Sequence, residues 1–260
     1  MISAIGRWFN KKLKNFFYAM GFFFNVLKEA IFFVKRKQVA FRVLIMQIYF
    51  TGVHALAIIS FIALSMGALI IIQGITILPQ FGQGKLIYTI LIIIITRELG
   101  PILTAFIVIA RSGTAISIEM GQMVVTHQVE AYISIGINPV SYLIVPRFFG
   151  VTISLIILTI YFNIIGLFAS FFLTQLIKPI AFVEYFQNLV AVLKFADILV
   201  SLIKSTVFGV IISTVATYNA LKVKVASTEI PQLVIKAVGQ GFIICIIANV
   251  VITLLYYIIL

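Results

Sequence analysis

Two uncharged stretches limit what this chain can become: Val43 to Gly84 and Phe148 to Ile177 contain no Asp, Glu, Lys or Arg. Inside hydrocarbon a backbone must satisfy its own hydrogen bonds, so runs this long require helices, each about 20 residues to cross. Long continuous runs, rather than short alternating ones, argue against a barrel. Composition agrees, with 63% hydrophobic and 10% charged residues and a mean hydropathy of +1.22. Soluble domains are about 45–50% apolar. The expected fold is an all-α integral membrane protein. Five transmembrane helices are expected over about 46–78, 86–110, 147–177, 197–220 and 234–258, within one membrane domain spanning 43–260.

Residues 1–42 form a separate basic and aromatic region. They carry nine Lys/Arg against one acid, Glu29. Cations alternate with rings in Arg7-Trp8-Phe9, Lys11-Lys12, Lys14 and Phe16-Phe17-Tyr18, and Lys35-Arg36-Lys37 follows. Phe16–Leu27 is too short to span but suits an amphipathic interfacial helix. The net charge of +12 is therefore read as contact with anionic headgroups, not with nucleic acid, since there is no soluble basic face. A signal peptide is the competing reading, but Asn25, Leu27 and Lys28 stand where a small-residue cleavage site belongs.

The second span carries the chemistry. Eleven uncharged residues, Leu86 to Thr96, precede Arg97-Glu98, and twelve, Leu99 to Ala110, follow. Only the whole of 86–110 is long enough to cross, so the ion pair lies near the middle of a membrane helix. Ionisable groups at that depth usually face a bundle interior or a wet cavity. The alternative is that Arg97 and Glu98 neutralise each other and lock helix packing. Gly100-Pro101 follows at once, and Pro101 frees the Arg97 carbonyl and favours a kink. Lys204 stands about 10 Å into the helix that Asp197 caps, and either snorkels to the interface or faces a cavity. Gln73 and Gly74 either line a polar cavity or let helices approach closely.

Arg111 closes the second span. Beyond it Gly113, Ser117 and Gly121 make a small-residue face for close helix contact. Glu119, Gln122, Thr126 and Glu130 form a polar stripe at helical spacing. This amphipathic segment is either a docking helix for a soluble partner or an ordinary solvated loop helix. Gly136 fits a helix stop, Asn138 an N-cap and Pro139 a first helical position. Toward the end, Pro179, Lys222 and Lys224 mark connections and Pro231 a break. Pro79 with Gly82-Gln83-Gly84 marks the first turn. His54 reads as a packing or interfacial residue; no cysteine or carboxylate cluster lies beside it or His127, so no metal site is expected. Cys245 reads as inert packing.

Orientation follows from the cations. With the N-terminus in the cytoplasm, that side receives the nine of residues 1–42 together with Arg111, Arg147, Lys222, Lys224 and Lys236. The far side receives Lys85, Lys178 and Lys194, so the positive-inside rule favours a cytoplasmic N-terminus and a C-terminus on the opposite side. No G-x-x-x-x-G-K-[ST] loop occurs, since Gly82-Gln83-Gly84-Lys85 lacks the spacing. There is also no nucleophile–base pair. The chain is not expected to be an enzyme or to hold a cofactor.

The run RELGPILTAFIVIARSGTAISIEMGQMVVTHQVEAYISIGINPVSYLIVPRFFG, with DILVSLIKSTVFG at 197–209, resembles the core of the MlaE (YrbE) permease family. These are the membrane subunits of Mce-type lipid ABC transporters, and the likeness covers most of the chain from about residue 40. It implies a homodimer of five-span subunits, a separate cytoplasmic ABC ATPase that binds the ATP, and a periplasmic Mce-domain protein. The setting it implies is the inner membrane. It places a coupling helix within 113–138, with Thr126, His127, Gln128, Glu130 and Ala131 on the coupling positions and Glu119 in the same segment. It associates Arg97, Glu98 and Lys204 with the lipid cavity. His127 replaces a usual acid, Glu130 a commoner Asp and Tyr132 a Leu, and 218–242 lacks the glycine- and threonine-rich pattern. The function implied is transfer of phospholipid, or a related lipid, between the inner membrane and the periplasmic carrier. The alternatives are an ion- or proton-coupled carrier and a scaffold that transports nothing.

Overall fold

The computed structural model describes residues 2–33, 40–77, 86–177, 179–223 and 226–259, with the backbone alone for 2–13, 15, 16, 32, 33 and 40. The Pro79 and Gly82-Gln83-Gly84 turn and the cations Lys35, Arg36, Lys37, Lys85, Lys178 and Lys224 lie outside the described residues, as do the side chains of Arg7, Trp8, Phe9, Lys11, Lys12 and Phe16. Among the described residues there are helices and no strand. The chain is a multi-pass membrane protein: five rods are long and apolar enough to cross, at Phe41–Ile77, Leu86–Val125, Val140–Ile177, Phe195–Ala220 and Ser227–Ile259. An amphipathic helix, α1 (Ile2–Phe33), precedes them and is longer than the stretch read from sequence.

The first rod is not one helix. It divides into α2 (Ala40–Gly52) and α3 (Leu56–Ile77) around a 3-10 turn, Val53–Ala55. Thr51, Gly52 and Val53 are weak helix formers, and they meet at the break. His54 is exposed there, stacked on Phe50 at 5.6 Å, which fits the interfacial reading and not a buried one.

The second rod is longer than the 86–110 expected. It runs through α4 (Leu86–Leu91), a π-helical stretch Ile92–Leu99, α5 (Gly100–Val108), a second π stretch Ile109–Gly113, and α6 (Thr114–Val125). Pro101 has no N–H, and just before it the ladder shifts register, with the Gly100 N–H reaching back to the Ile95 carbonyl. Past Arg111 the small face holds the rod in the bundle. Gly113 sits on Ile212, Gly121 on Val223 and Ile230, and the Ser117 hydroxyl donates to the Ala216 carbonyl at 3.2 Å.

After α7 (Gln128–Ser134) the Gly136 stop forms a Schellman motif. Gly136, at φ 78°, donates to the Ile133 carbonyl and Ile137 to that of Tyr132. Asn138 then accepts from the Val140 N–H at 3.0 Å, capping the third rod, a π turn Val140–Ile144 followed by α8 (Val145–Ile177). The segment 180–196, read only as mixed, contains α9 (Phe182–Val192). Its buried Tyr185 pairs with the Ser170 hydroxyl at 2.7 Å, and burial pushes the phenol up to about 12. α10 (Phe195–Ala220) and α11 (Ile230–Ile259) complete the bundle. Pro231 starts α11 rather than breaking it, because a proline in the first turn loses no helical bond.

α8 is central, packing on α2, α3, α5 and α10. Its crossing with α3 is backbone-close: a Cβ at Gly67 would fall on the Gly166 carbonyl oxygen. Gly67→Ala should therefore destabilise the protein by about 1–3 kcal/mol, the usual result of overpacking, despite alanine's better helix propensity. A lowered unfolding midpoint in detergent checks this; a midpoint equal to the parent's would mean the crossing relaxes freely.

Candidate functional site

The second rod carries Arg97 and Glu98 to the bundle interior, and α10 brings Lys204 and Asp197 to meet them. Lys204 is 0% exposed, so it does not snorkel. Its ammonium donates to Glu98 Oε2 at 2.6 Å, to Thr253 Oγ1 at 2.8 Å and to the Arg97 carbonyl at 3.2 Å. That last acceptor is the carbonyl that Pro101 leaves without its helical donor. Pro101 and the buried lysine thus account for each other: the freed carbonyl needs a donor, and the ammonium needs a third acceptor.

Arg97 and Glu98 do form the expected pair, at 3.4 Å, but it is not a closed one. Arg97 also reaches Asp197 Oδ1 at 3.5 Å and donates to the Tyr257 hydroxyl at 2.5 Å. Its guanidinium lies 4.9 Å from the Tyr256 ring and 5.0 Å from the Tyr257 ring, within cation–π range. Two cations and two carboxylates therefore balance inside the bundle, on the second rod and α10, with neutral groups of α11 beside them. Asp197 keeps its capping role as well, accepting from the Lys194 N–H at 3.3 Å.

Several members went unread in the sequence. Asp197 was seen only as a cap. Asn249, Thr253, Tyr256 and Tyr257 line one face of α11, with Asn249 and Thr253 donating to Glu98 at 3.5 and 3.3 Å. Their three- and four-residue spacing in an otherwise apolar run was the available signal. Glu98 is the least enclosed of the charged four, its side chain 27% exposed. Asn163 Oδ1 sits where a Cβ on Gly100 would fall, so glycine there makes room for the amide. Asn163 Oδ1, Asn249 Oδ1 and Thr96 Oγ1 are buried with no hydrogen-bond partner among the described residues. Gln73 does not join this group: it is exposed on α3, where neighbouring Gly74 abuts Ile87.

The polar stripe is not one face. Helix α6 ends on the β-branched Val124 and Val125, β-branched Thr126 caps it, and His127 takes a left-handed φ of 56°. Glu119 lies before that break and pairs at 2.7 Å with Arg147, which is buried and also donates to the Leu143 carbonyl. Beyond the break Thr126, His127, Gln128, Glu130 and Ala131 are all exposed, and His127 Nδ1 pairs with Glu130 Oε2 at 2.8 Å. Ile133 and Ile135 are exposed beside them. Val125 lies about 20 Å beyond Arg111 along the rod, and although Gly121 still packs on Val223 and Ile230, the turn and the outer face of the short helix after it are exposed.

The family profile Permease MlaE matches residues 44–255. A probable ABC transporter permease protein of Rickettsia prowazekii is 28% identical over 257 residues, covering 99% of each chain. The intermembrane phospholipid transport system permease protein MlaE of Haemophilus influenzae is 27% identical over 98% of this chain and 97% of its own. The chloroplastic protein TRIGALACTOSYLDIACYLGLYCEROL 1 of Arabidopsis thaliana is 27% identical over 72% of this chain and 54% of its own.

Proposed function

The chain belongs to the MlaE family of ABC-transporter permeases, and from that premise we propose that it moves phospholipid between an inner membrane and a periplasmic Mce-domain carrier. It works as a homodimer, the N-terminus in the cytoplasm, with α1 at the membrane surface and the 128–134 helix engaging the ATPase. ATP is bound by that partner; the permease holds no cofactor of its own. Lipid occupies the dimer cavity, with Arg97, Glu98, Lys204 and Gln73 among the groups that face it in the cycle.

The observation that carries this reading is the balanced buried network of Arg97, Asp197, Glu98 and Lys204. A scaffold needs no four-charge cluster in its membrane interior. A neutral cluster with one carboxylate near its surface suits a cavity wall that must admit and release a charged headgroup without trapping it. The test is lipid transfer in proteoliposomes that contain the permease, its ATPase and the carrier protein. Transfer should require hydrolysable ATP and persist when an ionophore collapses the ion gradients. Transfer that survives without ATP but stops with the ionophore would establish the ion-coupled alternative instead. Mass spectrometry of co-purified lipid would name the headgroup.

A further inference from the structure

A cleft of about 550 Å³ opens in the half of the second rod remote from Leu86, between α2 and the stretch from the second π turn into α6. Gln47, Phe50, His54, Arg111, Ser112 and Glu119 are among its lining residues. It is separate from the buried charge network, and nothing in the proposed cycle uses it. Of the three arginines on the second and third rods, Arg97 and Arg147 have carboxylates within 4 Å. Arg111 has none among the described residues; its single protein bond is from Nη1 to the His54 carbonyl, at 2.5 Å. Glu119, at the rim, is already held by Arg147.

Two helix irregularities build this arrangement. The 3-10 turn Val53–Ala55 turns a carbonyl out of the first rod, and the π stretch Ile109–Gly113 carries Arg111 to it. One arm of the guanidinium is thereby anchored, and the rest of the fork is left for a ligand. π-bulges are often found at functional sites. The level of the cleft identifies the ligand. With Leu86 and Ile77 taken at one interface, Arg111 lies about 38 Å and His54 about 35 Å along their rods, more than the roughly 30 Å of a hydrocarbon core, which sets the cleft at the other interface. The exposed rings of Tyr49, Phe50 and His54 form the aromatic surface expected at headgroup level. At that level the abundant partner for a planar guanidinium fork is a phosphate.

We propose that this cleft is a second lipid site, in which the Arg111 guanidinium holds the phosphate of a phospholipid from the leaflet at this end of the bundle. The inference does not depend on the transport reading, because it concerns a resident or entering lipid and no energised step. Native mass spectrometry of the delipidated full-length protein, titrated with phosphatidylglycerol, tests it. Diacylglycerol with the same acyl chains, which lacks the phosphate, is the comparison. Arg111→Gln should lose one phosphatidylglycerol per chain or bind it at least about tenfold more weakly, the loss of one charge-assisted contact, with diacylglycerol unaffected. Ala115→Phe, which fills the cleft from an exposed position without touching charge, should lose the same lipid. Inorganic phosphate in excess should not displace the lipid; if it does, the site is one for free phosphate and the headgroup assignment fails. Parent-like phosphatidylglycerol binding in Ala115→Phe, or in a folded Arg111→Gln, overturns the proposal.

Discussion

Lys204→Met lowers the unfolding midpoint of the purified permease by roughly 6–20 °C, the largest effect expected of a single side chain here. Methionine matches the lysine stem in length and apolarity, so the loss is of charge and donors. Three acceptors are abandoned together: Glu98, Thr253 and the Arg97 carbonyl. Breaking a buried pair from one side costs about 3–5 kcal/mol, and each kcal/mol moves the midpoint by about 2–4 °C in a chain of this size. The pairing can be tested by rescue. Adding Glu98→Gln to Lys204→Met restores neutrality and should recover most of the midpoint. Adding Glu98→Gln to Arg97→Gln should recover less, because the shorter bond of Glu98 is to Lys204, 2.6 Å against 3.4 Å. The reverse order of rescue would mean that Arg97 is the true counter-ion. Thermal unfolding followed by size-exclusion in detergent gives the ordering without any transport assay.

That experiment also marks where sequence reasoning ended. Spans, the Pro101 distortion, the Gly136 stop and the Asn138 cap were legible because each rests on local physics: hydrocarbon thickness, a missing N–H, a positive φ. So was the cost of burying Arg97 and Glu98. Which groups would meet them was not legible, since Lys204, Asp197 and Tyr257 are brought in by helices far along the chain. Self-neutralisation was the alternative that adjacent opposite charges offered, whereas packing shares the charge between the second rod and α10. The stripe from Glu119 to Glu130 misled for a similar reason. Its spacing was helical, but three β-branched residues and a left-handed His127 interrupt the helix between the two carboxylates. One of them faces a buried arginine and the other faces outward.

The outward one gives the second large effect: Glu130→Lys abolishes energy coupling while the permease stays folded. Energy must enter through a surface, because the sequence contains no phosphate loop of its own. The tip formed by α7 exposes Gln128, Glu130, Ala131, Ile133 and Ile135. A carboxylate among exposed apolar residues suits a partner groove that carries a cation. Reversing its sign sets like charges face to face, worth up to several kcal/mol. Inside the permease the same change removes only an exposed contact with His127, worth about 0–1 kcal/mol. Pull-down of the tagged permease should therefore recover at least about tenfold less ATPase, with an unchanged unfolding midpoint. His127→Asn is the control: asparagine accepts the left-handed φ, so the turn survives and ATPase recovery should stay near the parent's. His127→Glu is a poorer control, since it would set a second carboxylate beside Glu130 at a φ glutamate resists. If Glu130→Lys retains the ATPase and transfers lipid at the parent rate, the ATPase docks elsewhere, and the exposed tip is only a solvated turn between two spans.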